Sequence, residues 1–167
     1  SCQFNNVQPG TTYFFAITAY DTSGNESAKS TEASVYVPIP DTTPPTGTVA
    51  INSGSSTTPS RAVTLTLSAA DSGGTVIAMK FSNDGVNWSD EVPYASSQAW
   101  VLAEGDGVKT VYVNYKDAAG NWMSAPASDT ITFMLDTDGD GLPDSWESTN
   151  GLDTNNPSDA ALDSDSD

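Results

Sequence analysis

The chain has 167 residues, 37% of them hydrophobic, and carries 22 acidic against 5 basic side chains for a formal net charge of −17. A balance of that sign repels phosphate backbones and anionic lipid surfaces, so nucleic acid and membrane insertion are excluded as partners while multivalent cations are favoured. With no histidine and a single cysteine, a Ser-His-Asp triad, a His-ligated zinc or haem site, an imidazole general base and an internal disulfide are all ruled out. The cysteine, Cys2, reads as a small buried apolar residue, the alternative being a pairing with a part of the protein outside this sequence.

The length admits one sizeable domain or two small ones, since cores are built in units of roughly 100 to 150 residues. Thr, Ser, Gly and Pro are spread throughout, which suits many short strands joined by turns. No run of about 20 apolar residues occurs, and Ser1-Cys2-Gln3-Phe4 carries neither a charged nor an apolar leader, so no membrane span and no targeting segment are expected. The charge is uneven: residues 1–38 hold 1 basic and 3 acidic side chains, residues 39–134 hold 4 and 9, and residues 135–167 hold 0 and 10.

Residues 12–20 alternate, with Tyr13, Phe15, Ile17 and Ala19 on one face and Phe14, Ala16, Thr18 and Tyr20 on the other, which predicts a strand. Asp21-Thr22-Ser23-Gly24-Asn25 is turn chemistry, and a second strand is expected over Ala33–Val37, stopping at Pro38. Pro9-Gly10-Thr11-Thr12-Tyr13 resembles the Pro-Gly-x-x-Tyr pattern of the last third of a fibronectin type III domain, in which the tyrosine forms the tyrosine corner. The resemblance implies an incomplete module over 1–38. Its two or three strands need partners from elsewhere in the polypeptide or from another copy, because two strands do not bury two sheets.

Residues 39–46, with Pro44-Pro45, read as a stiff linker. From Gly47 to residue 134 strands are expected near Thr48–Asn52, Ala62–Ala70, Val76–Ser82, Gln98–Ala103, Val108–Lys116 and Thr130–Leu135, the spacing of a β-sandwich. Period two places Val63, Leu65, Leu67 and Ala69 inward on one strand and Val111, Val113 and Tyr115 on another, with Trp100 in the same core. Lys116-Asp117-Ala118-Ala119-Gly120-Asn121 repeats Tyr20-Asp21-Thr22-Ser23-Gly24-Asn25 at an offset of 96 residues, about one module. Residues 41–135, including Phe81-Ser82-Asn83-Asp84-Gly85 and Trp88, resemble the bacterial immunoglobulin-like repeats found in tandem in secreted proteins. The fold class expected is all-β: immunoglobulin-like and fibronectin type III-like β-sandwich modules ending in a short EF-hand-like loop.

That loop, residues 136–147, matches D-x-D-x-D-G-x-x-D-x-x-E in full. Asp136, Asp138 and Asp140 supply oxygens at positions 1, 3 and 5, and Gly141 permits the bend at position 6. Leu142 offers its backbone carbonyl, Asp144 reaches through a water, and Glu147 closes the shell with both oxygens. Hard oxygen donors of this number select Ca2+, and without it five neighbouring carboxylates repel. Residues 130–135 read as a strand rather than an incoming helix, and Pro143 cannot donate the hydrogen bond that pairs two EF loops, so a paired sensor is not expected. Residues 135–167 resemble the bacterial relatives of thrombospondin type 3 repeats, in which a second loop follows the first at a fixed distance. On that resemblance Asp163, Asp165 and Asp167 open a second calcium site 27 residues after Asp136.

These features imply a non-enzymatic, calcium-binding structural or adhesion segment of a secreted, multi-module bacterial surface or matrix protein. Its expected partners are calcium, neighbouring modules of the same polypeptide or another copy, and a surface glycan or protein. The rival reading is an accessory, carbohydrate-binding region of a secreted hydrolase, in which Trp88 and Trp122 stack on sugar rings.

Overall fold

The computed structural model describes residues 4–162; Cys2 and the second acidic run, Asp163, Asp165 and Asp167, lie outside the described residues. The chain divides into two compact units, Ser1–Asp41 and Thr42–Asp167.

In the first unit, β1 (Thr11–Phe15) pairs antiparallel with β2 (Ala33–Val37), from Thr11 opposite Val37 to Phe15 opposite Ala33. The strand expected over 12–20 stops at Phe15. Beyond it the ladder is broken by serine hydroxyls: Ser30 Oγ accepts from Ile17 N at 3.1 Å and Ser27 Oγ from Ala19 N at 3.0 Å, so side chains stand where strand carbonyls would. Tyr13 Oη accepts from Gln8 N at 2.8 Å, a link back along the chain of the tyrosine-corner kind. Phe14, Ile17, Tyr20, Val35 and Tyr36 are all more than half exposed. Two strands leave both faces of a hairpin to water, and such ribbons are marginal alone.

The second unit is a sandwich. One sheet runs β3 (Thr46–Ile51), β5 (Ala62–Ala70), β8 (Ser97–Val101), antiparallel throughout. The other has the order β4 (Thr57–Thr58), β10 (Ala127–Phe133), β9 (Gly107–Asp117), β6 (Val76–Ser82), β7 (Val92–Pro93), with β4 parallel to β10 and the remaining pairs antiparallel. The short edge strands β4 and β7 have no sequence signal of their own, because two residues are too few for periodicity. β5 alternates buried and exposed along most of its length, with Val63, Leu65 and Leu67 inside, and Val111, Val113 and Tyr115 of β9 are wholly enclosed. Ile51, Met79, Phe81, Leu102, Ile131 and Phe133 complete the core. Trp100 flanks this core rather than filling it: the ring sits 5.3 Å from Phe81, and its Nε1 donates to Asn83 Oδ1 at 2.8 Å, the partner an indole N–H needs.

Close approach fixes Gly47. A Cβ there would lie 2.5 Å from the Tyr115 ring, whose hydroxyl donates to Thr48 O at 2.7 Å. The sheets are also tied by a polar contact, Ile51 N of β3 donating to Asp129 Oδ2 of β10 at 2.8 Å.

Leu65 is fully enclosed, so Leu65→Ala should lower unfolding free energy by roughly 2 to 4 kcal/mol in denaturant titration, transfer and cavity terms together. A near-neutral midpoint would mean that β5 is out of register. In limited proteolysis, cuts between residues 16 and 32 should precede any in the sandwich; equal resistance of the two units would show that the first is covered.

Candidate metal site

The strand β10 delivers the acidic loop to the end of the sandwich. Met134 N donates to Thr58 O at 3.1 Å and Leu135 N to Asp106 Oδ1 at 3.2 Å, so the chain leaves the ladder anchored to two neighbouring segments. Asp144 N then donates to Leu135 O at 2.8 Å, clasping the loop where it began.

Within the loop the carboxylates organise the backbone. Asp136 accepts from Gly139 N (2.8 Å) and Gly141 N (3.2 Å), Asp138 Oδ1 from Asp140 N (3.3 Å), and Asp140 Oδ1 from Leu142 N (2.8 Å). Gly141 has φ +100°, the left-handed region that the bend at this position demands. Using one oxygen each for the backbone leaves Asp138 Oδ2 and Asp140 Oδ2 buried with no hydrogen-bond partner among the described residues.

The helix α1 (Asp144–Asn150) follows, ending at Gly151 with φ +78° and Leu152 N donating back to Glu147 O at 3.0 Å. Its first turn carries Asp144 and Glu147. Glu147 is wholly buried, and neither carboxylate oxygen has a partner among the described residues. Asp144 does something else: its two oxygens accept from Thr137 N at 2.7 Å and Thr137 Oγ1 at 2.6 Å, stapling the start of the loop to the helix.

Two acidic groupings result. Oxygens of Asp136, Asp138 and Asp140 lie within 4.8 Å of one another, and so do oxygens of Asp140, Glu147 and Asp159. Asp144 belongs to neither. Asp159 has no place in the twelve-residue loop pattern; it sits beyond it in an Asn-Pro-Ser-Asp run that reads as a turn. The signal that finds it is its burial together with an unpartnered Oδ1.

Electrostatics follow from this enclosure. Burial, reinforced by the charges of Asp138, Asp140, Asp159 and Asp144, pushes the Glu147 carboxyl up to about 7. Burial also raises Asp138, with Asp140, Asp136 and Asp159 adding to it and the bond from Asp140 N opposing. Elsewhere the trend reverses. At Asp117 burial pulls upward but is outweighed by bonds from Asn121 and the turn backbone, and at Asp21 the Asn25 side chain holds the carboxyl down. These are the paired Asp-x-x-Gly-Asn turns: Asn25 Nδ2 reaches Asp21 Oδ2 and Asn121 Nδ2 reaches Asp117 Oδ2, each at 2.8 Å.

Lysines stand near the two tryptophans weighed for sugar binding. Lys80 Nζ stands 5.2 Å from the Trp88 ring centre and 4.4 Å from that of Trp122, and Lys116 Nζ is 5.3 Å from Trp122 while pairing with Glu91 Oε2 at 3.1 Å.

No protein-family model matches the chain, and no curated protein sequence matches it. Among solved structures it is similar to the PKD1 domain of Vibrio anguillarum Epp, at 14% identity and a TM-score of 0.41, over 55% of this chain and 95% of that one. It is also similar to fibronectin(III)-like modules of Clostridium thermocellum CbhA, at 22% identity and a TM-score of 0.46, over 74% of this chain and 62% of that one. The β-sandwich assignment itself rests on the sheets and core described above. Among the described residues no helix is long and apolar enough to cross a membrane.

In metal-free protein the raised Glu147 carboxyl sets a pH dependence. Its folded value, about 7, lies above its ordinary 4.5, so its contribution to stability is present below the ordinary value and lost as pH rises through about 7. Amide exchange in 144–150, corrected for intrinsic rates and measured with chelator, should show more protection at pH 5 than at pH 8. Glu147→Gln should flatten the profile; a flat wild-type profile would contradict the assignment.

Proposed function

We propose that the chain is a non-catalytic, calcium-binding structural and adhesive segment of a secreted, multi-module bacterial surface or matrix protein, in which calcium stiffens the exit from the sandwich. The observation that carries this reading is Glu147, wholly buried with neither carboxylate oxygen partnered among the described residues, beside Asp140 and Asp159, each with one such oxygen. Carboxylates removed from water are tolerated only when protonated, paired or bound to metal. Asp136, Asp138, Asp140 and Glu147 would hold the ion, with the Leu142 carbonyl and a water on Asp144 as the further donors. When bound, Ca2+ supplies charge neutralisation and fixed coordination rather than chemistry.

The donor set fits: oxygen only, several carboxylates, one tight bend. It suits calcium's six to eight bonds at about 2.3 to 2.6 Å better than the stricter octahedron of magnesium or the nitrogen and sulfur preference of zinc. Extracellular sites of this kind bind at about 0.1 to 1 mM, because calcium there is plentiful and no switching is needed. The sequence resemblances to tandem immunoglobulin-like repeats and to thrombospondin type 3 repeats support an extracellular setting, where neighbouring modules, another copy, or a surface glycan or protein would be the contacts.

Calorimetry with millimolar calcium, read with amide exchange over 136–150, tests the proposal. Asp140→Ala and Glu147→Gln should each remove most of the heat and of the calcium-induced protection while leaving the sandwich melt in place. A wild-type chain that shows neither heat nor protection would overturn it.

A further inference from the structure

We propose that Asp159 is a direct calcium ligand supplied from outside the twelve-residue loop, which with Asp140 and Glu147 completes the cage and fastens the turn after α1 to the loop. This rests on the calcium reading above. Asp159 lies 12 residues past Glu147, yet it is only 6% exposed.

The intervening chain places it. Gly151 turns out of the helix, Asn156 N donates to Asp153 O at 2.8 Å, and Asp159 N donates to Asn156 O at 3.1 Å. Asp159 Oδ2 accepts from Asp153 N at 2.8 Å, which fixes the carboxylate plane and leaves Oδ1 buried without a partner among the described residues. An oxygen of Asp159 lies within 4.8 Å of oxygens from Asp140 and Glu147. That is the reach of one calcium, whose opposed ligands stand about 4.6 to 5.2 Å apart.

Among the described residues, no basic side chain of the second unit pairs with this group. Its basic residues are engaged elsewhere: Arg61 with Glu104, Lys116 with Glu91, Lys80 over Trp88 and Trp122, and Lys109 with the carbonyls of Glu104 and Asp106. A cation is what the three carboxylates lack.

The test is calcium calorimetry on the full chain, with amide exchange over 152–162, for wild type, Asp159→Asn and Asp90→Asn. Asp90 is the charge-matched control, since it is exposed and joins no acidic grouping. Asp159→Asn should weaken calcium binding by roughly tenfold or more and abolish calcium-induced protection of 152–162. Asp90→Asn should stay within about twofold, as expected for a screened surface charge. In the metal-free state Asp159→Asn removes a repelling charge and should leave the tail at least as protected as wild type, which separates loss of a ligand from misfolding. Wild-type-like calcium binding by Asp159→Asn would overturn this assignment alone, whereas absence of binding by wild type would remove the calcium reading and this assignment with it.

Discussion

Enclosing carboxylates where water does not reach them is the constraint on which the C-terminal part of this chain depends. An ionised carboxylate in such a place needs donors or a cation. The chain treats its acids in two ways. Asp21 and Asp117 meet turn amides and an asparagine side chain, and their carboxyls are held down. Glu147 and Asp138 keep oxygens without donors among the described residues, and their carboxyls are pushed up. The opposite shifts follow from whether donors meet the carboxylate.

Much of the sandwich was legible in the sequence because period two survives wherever one face is buried. β5 shows this, with Val63, Leu65 and Leu67 inside and polar neighbours out. Less legible were features decided by contacts distant in sequence. β1 stops at Phe15 because hydroxyls of Ser27 and Ser30 replace ladder partners, and β7 exists only because Val92 and Pro93 meet β6. Asp136, Asp138 and Asp140 lie together as neighbours in one loop, a proximity that the spacing makes legible because a tight turn is local. Asp159 escaped the loop pattern because its position depends on Gly151 and the turn around Asp153, which no fixed spacing encodes. Asp144, at the ninth position of the pattern, also holds Thr137 through both oxygens, a contact that the pattern does not show.

The two Asp-x-x-Gly-Asn turns repeat with the same internal bonds in the two units. In each, the aspartate amide meets the asparagine carbonyl at 3.0 Å and the glycine amide returns to the aspartate carbonyl. Such a turn closes a strand pair without help from core packing, so it can sit in a sparse hairpin as readily as in a full sandwich. That independence explains how the motif recurs where the surrounding burial differs so widely.

The clasp between Leu135 and Asp144 has a mechanical meaning. A pull applied through Thr42 enters the second unit by β3, and one applied beyond Gly151 reaches it by β10, strands that belong to different sheets. Tension between those points is therefore borne across the sandwich, by the core to which Ile51 and Ile131 both belong and by the bond from Ile51 N to Asp129, rather than by unzipping one ladder. With the loop clasped, the slack of residues 136–143 lies outside the load path, and the helix takes up force directly at the rim of the sheet.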